Sequence, residues 1–233
     1  MIKLLIISDD FTGALDTGVK FSAAGARTRV STDTQIDFRQ EIAEEVLVLC
    51  APTRHLPPRE AYDMIRSIAQ RAVAAHIGCV YKKTDSALRG NIGAELSAVL
   101  DGSGEKCLSF IPALPGMNRI TVDGVHYIDG VPVDQSVFGQ DPFEPVTESR
   151  VPDLLHLQCD VPVKVISPEE LDSFRPGEEK CIYLFDCASR EDMEREAQRL
   201  YLLGCLKLLA GCAGLAHYLP DKLQIPAGKL PEV

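Results

Sequence analysis

Two neighbouring carboxylates, Asp9 and Asp10, come directly after the first apolar run of the chain, and Thr12 and Gly13 follow them. Carboxylates at such a position can accept hydrogen bonds from the hydroxyl groups of a ligand, and one of them can serve as a general base for a hydroxyl that must become a nucleophile. We take Asp10 as the candidate base. The alternative is structural, because Asp10 or Thr12 could simply cap the helix predicted next.

A second polar segment spans residues 81–95 and concentrates positive charge between a predicted strand and a predicted helix. Arg89 offers a planar fork that suits a carboxylate or phosphate, and the backbone from Gly90 onward opens a helix N-terminus toward an anion. This segment predicts an anion site. In the alternative, Arg89 pairs with a surface Glu and Asn91 caps the helix. Because alternate strand residues face opposite ways, Lys82 and Lys83 cannot both point at one ligand.

Two further segments carry weaker signals. A Pro-rich loop over residues 110–120 presents Asn118 and Arg119, and its stiffness could hold these polar groups in place. Gly211 and Gly214 form a G-x-x-G that is compatible with close approach of another backbone.

The elements that must position these residues alternate between strands and helices. Short apolar runs predict strands, listed as Lys3–Ile7, Thr28–Val30, Val46–Cys50, Cys79–Lys82, Cys107–Ile111, Val163–Ile166, Cys181–Phe185 and Cys205–Leu209. Helices are predicted at Ala14–Ala24, Pro58–Ala75, Ile92–Leu100, Pro168–Phe174 and Glu191–Leu203. This alternation predicts a three-layer α/β fold with a mostly parallel open sheet and helices on both faces.

Residues 120–133 depart from this alternation, because two Asp-Gly pairs flank a short apolar run there. Asp-Gly between apolar runs is a strong hairpin signal, so we expect a small antiparallel meander. The stretch from Asp134 to Pro152 has little periodicity and is expected to form a long ordered loop.

Composition limits the class of protein. In 233 residues, 45% are apolar and 25% are charged, which is typical of a globular protein and excludes a disordered or membrane-spanning chain. The net charge of −10 disfavours nucleic acid and acidic membrane surfaces as partners. The first apolar run is too short for a signal peptide, so we expect a cytoplasmic protein.

Metal and nucleotide motifs are missing from the sequence. The eight cysteines include no C-x-x-C pair, and most lie in apolar runs, which indicates reduced core thiols rather than a metal site. No G-x-x-x-x-G-K-[ST], G-x-G-x-x-G, G-x-S-x-G or H-E-x-x-H occurs. The sequence therefore offers no recognisable nucleotide loop.

The segments DDFTGALDTG, KKTDSALRGNIGAEL and PALPGMNRITVDGVHYIDGVPV, with DPFEPVTESRVPDLL after them, together resemble the four-carbon acid sugar kinase family, once described as a domain of unknown function. The resemblance covers nearly the whole chain. It implies an N-terminal domain that binds a sugar acid of the threonate or oxo-tetronate type, a C-terminal domain that binds ATP with Mg, and phosphorylation of a terminal hydroxyl in the cleft between them.

The chain resembles the N-terminal domain only, so residues 1–233 are expected to form a single sugar-acid-binding domain that does not bind ATP alone, with the ATP-binding domain either separate or deleted. Carried over by position, the resemblance assigns substrate contacts to Asp9, Asp10, Thr12, Lys83, Asp85, Ser86, Arg89, Gly90 and Arg119. Met117-Asn118-Arg119 stands where the family often has Asn-Gly-Arg, and Ala87 where Thr is frequent.

Two other functions compete with this one. An Asp after a first buried strand is also the nucleophile of some phosphohydrolases, although the D-x-D-x-[TV] spacing fails because Asp9 and Asp10 are adjacent. The chain could also be a sugar-acid-binding module without catalysis.

Overall fold

The computed structural model describes residues 2–40 and 43–225. Its main sheet has eight parallel strands: β1 (Leu4–Ser8), β2 (Thr28–Ser31), β3 (Val46–Cys50), β4 (Cys79–Lys83), β5 (Cys107–Ile111), β9 (Val163–Ile166), β10 (Cys181–Phe185) and β11 (Leu208–Gly211). Their spatial order is β2-β3-β1-β4-β11-β5-β10-β9. The predicted parallel open sheet is confirmed.

Helices cover both faces of this sheet, as predicted. They are α1 (Phe11–Ala23), α2 (Pro58–Ala74), α3 (Ile92–Ser103), α4 (Val151–His156), α5 (Arg190–Leu202), α6 (Ala213–Ala216) and α7 (Leu219–Lys222). One apolar core contains Leu5 and Ile7 of β1 and lies under α2, α3 and α4. The other contains Leu4 and Ile6 and lies under α1, α5, α6 and α7. Alternate residues of β1 thus enter opposite cores.

The predicted meander is confirmed as a second, three-stranded sheet of β6 (Arg119–Val122), β7 (Val125–Ile128) and β8 (Val131–Pro132). Asp123 and Gly124 in the first turn have φ of 52° and 73°, and Asp129 and Gly130 in the second have 52° and 80°. Two successive positive φ values are what a two-residue type I′ hairpin turn requires, which explains the Asp-Gly pairs.

One predicted helix is absent, and the bounds of several other predicted elements differ from the structure. Residues 168–174 form consecutive turns rather than a helix, because the segment is short and Pro176 and Gly177 follow after one intervening residue. The last strand begins at Leu208 instead of Cys205, since the Cys205 amide donates to Leu200 O and still closes the end of α5. The predicted loop after Asp134 ends at Val151, where α4 begins one residue before Pro152.

Candidate functional site

The candidate site lies beyond the carboxyl ends of two neighbouring strands, β1 and β4. β1 and β4 are neighbours, with Ser8 beside Lys83. The connection after β1 uses α1 on one face, whereas the connection after β4 uses α3 on the other. Adjacent strands whose connections diverge leave a crevice beyond their carboxyl ends, which is where open α/β sheets bind ligands.

Arg54 lies at the centre of this crevice, and the sequence patterns did not single it out. Its Nε lies 2.7 Å from Oδ2 of Asp9, and its Nη2 lies 2.8 Å from Oδ2 of Asp10 and 3.7 Å from Oδ1 of Asp85. The guanidinium therefore ties together the loops that follow β1, β3 and β4. Its position could have indicated a role in the site, because Arg54 follows the last residue of β3, Cys50, by four residues. β3 is the strand beside β1.

The loop that carries Arg54 is fixed by the segment after β4. The side-chain amide of Asn91 donates to Thr53 O and Leu56 O, each at 2.8 Å. Asn91 occupies the N-cap position of α3, as in the alternative interpretation, but its side chain makes no capping hydrogen bond there. Gly90 has φ +86°, and a Cβ there would lie 2.8 Å from Cγ of Arg54. Gly90 thus gives Arg54 room to cross the loop.

Asp9 and Asp10 have different environments. Asp10 is the N-cap of α1, and its Oδ1 accepts from the Gly13 amide at 2.7 Å while its side chain stays 29% exposed. The Asp9 side chain is only 2% exposed and is held by Arg54. Thr12 is exposed in the first turn of α1. Because Asp9 is enclosed and paired, its geometry does not favour the nucleophile of a phosphohydrolase, whereas Asp10 reaches the crevice as well as capping the helix.

Lys82 and Lys83 face opposite sides of the sheet. Nζ of Lys82 lies 2.9 Å from Oε2 of Glu95 on α3, and both side chains are fully buried. Nζ of Lys83 donates to Thr84 O at 2.7 Å and sits against Gly13 of α1. Among the residues that the structure describes, Lys83 has no carboxylate within 4.0 Å. Lys83 therefore brings an uncompensated positive charge to the crevice, and Lys82 is part of the interior.

The buried carboxyl group of Glu95 supports the loop that carries Arg54. Burial raises the pKa of its carboxyl group, and the charge of Lys82 opposes this effect. The hydroxyl of Thr53 also donates to Oε1 of Glu95. Since Thr53 precedes Arg54, this buried ion pair helps to anchor the arginine that joins the strand ends.

Arg89 forms a two-point ion pair with Asp85. Nε and Nη2 of Arg89 lie 2.8 and 3.1 Å from Oδ2 and Oδ1 of Asp85, and Nη1 lies 3.2 Å from Oδ2 of Asp141. Burial opposes ionisation of Asp85, but the hydrogen bonds from Arg89 and the charge of Arg54 outweigh it and lower the pKa of Asp85. The partner of Arg89 is thus an Asp four residues away and a second Asp on the long loop, not the surface Glu of the alternative.

Arg119 reaches the same region from the start of β6. Its Nη1 donates to the Ser86 hydroxyl, and its guanidinium carbon lies 5.2 Å from the centroid of the Phe138 ring. Arg89 lies over the same ring at 5.0 Å. In residues 2–40 and 43–225, no carboxylate lies within 4.0 Å of Arg119. Phe138, which the sequence did not single out, therefore brings two guanidinium groups together.

His126 links this cluster to the small sheet. It is fully buried, its Nε2 lies 3.0 Å from Ser86 O, and its Nδ1 lies 3.1 Å from the Thr121 hydroxyl. A carbonyl oxygen only accepts, so Nε2 carries the proton and Nδ1 accepts from Thr121. Burial lowers the pKa of His126 to about 4, and the charge of Arg119 acts in the same direction.

The G-x-x-G turn at the end of β11 approaches other backbone closely, as predicted. A Cβ at Gly211 would lie 2.3 Å from Ile111 O, and one at Gly214 would lie 2.8 Å from Ala113 O. The neighbouring carbonyl oxygens leave no room for a side chain at either position, which explains the two glycines.

Within residues 2–40 and 43–225, no three His, Cys, Asp or Glu side chains are grouped so as to hold a metal ion. In the same ranges, no helix has the length and apolar character needed to cross a membrane.

Comparison with known sequences connects this geometry to a family. The sequence model of the sugar-binding N-terminal domain matches residues 4–219. The chain is 32% identical over 231 residues to the D-threonate kinase of Salmonella typhimurium, covering 95% of this chain and 54% of that protein. It is 30% identical over 220 residues to the D-erythronate kinase of Heliobacterium modesticaldum, covering 88% and 49%. The chain spans about half the length of these relatives.

Solved structures agree. A Bordetella bronchiseptica protein, described as a domain of unknown function and a domain-swapped dimer with bound citrate, superposes with a TM-score of 0.82 at 30% identity, covering 94% of this chain and 56% of that one. A Haemophilus influenzae structure shares the fold at 22% identity, with a TM-score of 0.79 and coverage of 97% and 57%. The chain thus belongs to the four-carbon acid sugar kinase family and matches its sugar-binding N-terminal domain.

Proposed function

We propose that residues 1–233 form a single domain that is the substrate-binding half of an ATP-dependent kinase for four-carbon acid sugars of the threonate or oxo-tetronate type. The crevice at the ends of β1 and β4 is the proposed sugar-acid site. Its proposed contacts are Asp9, Asp10, Thr12, Lys83, Asp85, Ser86, Arg89, Gly90 and Arg119, and we add Arg54 to them.

The observation that carries this proposal is the distribution of charge in the crevice. Lys83 and Arg119 have no carboxylate within 4.0 Å among the described residues, whereas Asp10 stands at the same edge of the sheet and is partly exposed. A sugar acid has the complementary pattern, with an anionic carboxylate at one end and hydroxyls along the rest. We assign the substrate carboxylate to the cationic side, where Arg89 stands next to Arg119, and the terminal hydroxyl to Asp10.

In the proposed reaction, the oxygen of the terminal hydroxyl forms a bond to the γ-phosphorus of ATP, the bond to the β–γ bridging oxygen breaks, and ADP leaves. Asp10 takes the hydroxyl proton as the oxygen attacks. Arg54 and the amide of Gly13 fix the orientation of the Asp10 carboxylate. Besides its proposed contact with the substrate, Asp9 holds Arg54 in place.

The nucleotide and its magnesium are expected to be held outside the described residues. Phosphoryl transfer depends on a donor held in line with the acceptor and on cationic stabilisation of the transferring group. The sequence contains neither G-x-x-x-x-G-K-[ST] nor G-x-G-x-x-G. A nucleotide-binding domain, in the same polypeptide or in another, is therefore part of the proposal, and this chain alone is expected to bind sugar acid without phosphorylating it.

Calorimetric titration of the chain with D-threonate, D-erythronate and 3-oxo-tetronate tests the proposal. Removing the charge in Arg119→Gln should cost about 2 to 5 kcal/mol of binding energy, or about thirtyfold or more in Kd. Arg59→Gln is the matched control, because the Arg59 side chain is 86% exposed on α2 and should leave Kd unchanged. No binding of any of these acids by the wild type, or equal Kd for wild type and Arg119→Gln, would refute the proposed site.

A further inference from the structure

The loop after β4 contains an unfavourable backbone conformation. Leu88 has φ of 63°, in the left-handed region that residues other than glycine rarely adopt. Its side chain is buried in the core under α2, α3 and α4, and its amide donates to Asp85 O at 3.1 Å. Such a conformation persists only where the surrounding structure fixes it. The contacts of residues 85–88 therefore determine whether the polar groups of this loop keep their places.

Two of these contacts come from the region of the small sheet. Ala87 is fully buried in a separate apolar cluster with Ile128 and Val133. His126 of β7 donates from Nε2 to Ser86 O at 3.0 Å. Apolar contacts are non-directional, whereas a hydrogen bond requires its donor and acceptor to be aligned. The hydrogen bond from His126 is therefore the contact that orients the backbone of Ser86.

The imidazole ring of His126 is itself fixed from the end of a main-sheet strand. The hydroxyl of Thr121 donates to Nδ1 at 3.1 Å, and both side chains are fully buried. The Thr121 amide donates to Cys187 O at 3.0 Å, and the Cys187 amide donates to Thr121 O at 2.8 Å. Cys187 follows the end of β10 by two residues. Because the buried ring is held at both nitrogens, it keeps Ser86 at a fixed place relative to the main sheet.

Ser86 in turn directs Arg119. The Ser86 hydroxyl accepts from Nη1 of Arg119. The ring of Phe138 also attracts this guanidinium, whose carbon lies 5.2 Å from the ring centroid. Attraction to a ring face does not fix which way the N–H groups point. The hydrogen bond to Ser86 supplies that direction.

We propose that His126 is a positioning residue for sugar-acid binding. By fixing Ser86, it sets the direction in which Arg119 presents its remaining N–H groups to the carboxylate of the substrate. The side chain of His126 is buried and does not itself touch the substrate. This inference rests on the proposed function, because the carboxylate is assigned there to the side of Arg119.

Calorimetric titration of the chain measures Kd for whichever of D-threonate, D-erythronate and 3-oxo-tetronate the wild type binds most tightly. His126→Phe keeps an aromatic ring without a donor, and His126→Gln keeps a donor near the place of Nε2. His126→Phe is also combined with Arg119→Gln. Leu200→Ala is the matched control, because it removes a fully buried side chain of α5 in the other core and should destabilise without touching this loop. Urea denaturation first checks that each variant is folded at the pH of the titration.

His126→Phe should raise Kd by about tenfold, because Arg119 loses its direction but keeps its charge. His126→Gln and Leu200→Ala should stay within about twofold of the wild type. In the Arg119→Gln background, His126→Phe should change Kd by less than about twofold, since the residue through which His126 acts is then missing. If His126→Phe does not fold, Thr121→Val replaces it in both backgrounds, because it removes the donor to Nδ1 and should raise Kd by about fivefold.

An unchanged Kd in His126→Phe, or in the Thr121→Val that replaces it, would overturn the assignment of His126 and leave the proposed function standing. So would an equal rise in His126→Phe and His126→Gln, or the same rise with and without Arg119→Gln. A rise in Leu200→Ala as large as that in His126→Phe would also overturn it, because affinity would then follow stability alone. Failure of the wild type to bind any of the three acids would overturn the proposed function and, with it, this inference.

Discussion

Protonation of His126 should destabilise this domain in mildly acidic solution. In the unfolded chain a histidine titrates near its ordinary pKa of about 6.5. Burial lowers the pKa of His126 in the folded state to about 4. Between these values the unfolded chain binds the proton and the folded domain does not. Stability is therefore fully present above about pH 6.5 and is lost as the pH falls toward 4.

The size of the effect follows from the two pKa values. Each pKa difference of one corresponds to about 1.4 kcal/mol, so the fall from 6.5 to about 4 corresponds to roughly 3 kcal/mol of unfolding free energy. The proton would have to enter at Nδ1, which accepts from Thr121 in the neutral ring. This is a large fraction of the stability of a typical domain.

Urea denaturation at several pH values from 7.5 to 4 measures this contribution when wild type is compared with His126→Gln. Glutamine can donate to Ser86 O and cannot titrate, so carboxylates and other common groups cancel in the difference between the two proteins. As the pH falls across this range, the unfolding free energy of the wild type should decrease by about 3 kcal/mol relative to that of His126→Gln. His217→Gln, at an exposed histidine, should follow the wild type. A difference between wild type and His126→Gln that stays constant with pH would refute the argument.

Two further substitutions separate the binding site from its support. Asp10→Asn should lower the unfolding free energy by no more than about 1 kcal/mol, because the amide oxygen can still cap α1. It should weaken sugar-acid binding, because the negative charge beside Arg54 is lost. A thermal melt and a binding curve test both effects, and a large stability loss at unchanged affinity would make Asp10 structural. Glu95→Gln should destabilise by about 3 to 5 kcal/mol in denaturant, since it leaves the Lys82 ammonium buried without its counter-charge. Adding Lys82→Met should recover part of that lost unfolding free energy. The control is Asp153→Asn, at an exposed ion pair with Arg150, which should leave the unfolding free energy almost unchanged. A Glu95→Gln effect as small as that of the control would contradict the buried charge pair.

Local sequence patterns were sufficient for most of the fold. Buried parallel strands appear as short β-branched runs, and the two Asp-Gly pairs required the positive φ values that define the hairpins. The segment at residues 168–174 misled the prediction, because only Leu171 and Phe174 in it are buried and a Pro follows. Two apolar contacts at that spacing fit a series of turns as well as a helix.

The partners within the site were harder to predict than its position. The rule that ligands bind beyond the carboxyl ends of parallel strands pointed to the junctions after β1 and β4. It could not show that Arg54, after a third strand, would bind Asp9 and Asp10, because that choice depends on contacts between residues about 45 apart in sequence. Phe138 was missed for the same reason, since its role depends on two arginines from separate segments.

Arg54 has a consequence for how this site can change during evolution or engineering. One guanidinium bonds to carboxylates from two other loops, and Gly90 leaves room for it. A loop transplanted alone from a relative would arrive without its matching charges and would leave a buried ion unpaired. The segments at residues 9–10, 51–56 and 84–91 must accordingly be inherited or grafted together as one block, and substitutions among them should combine non-additively.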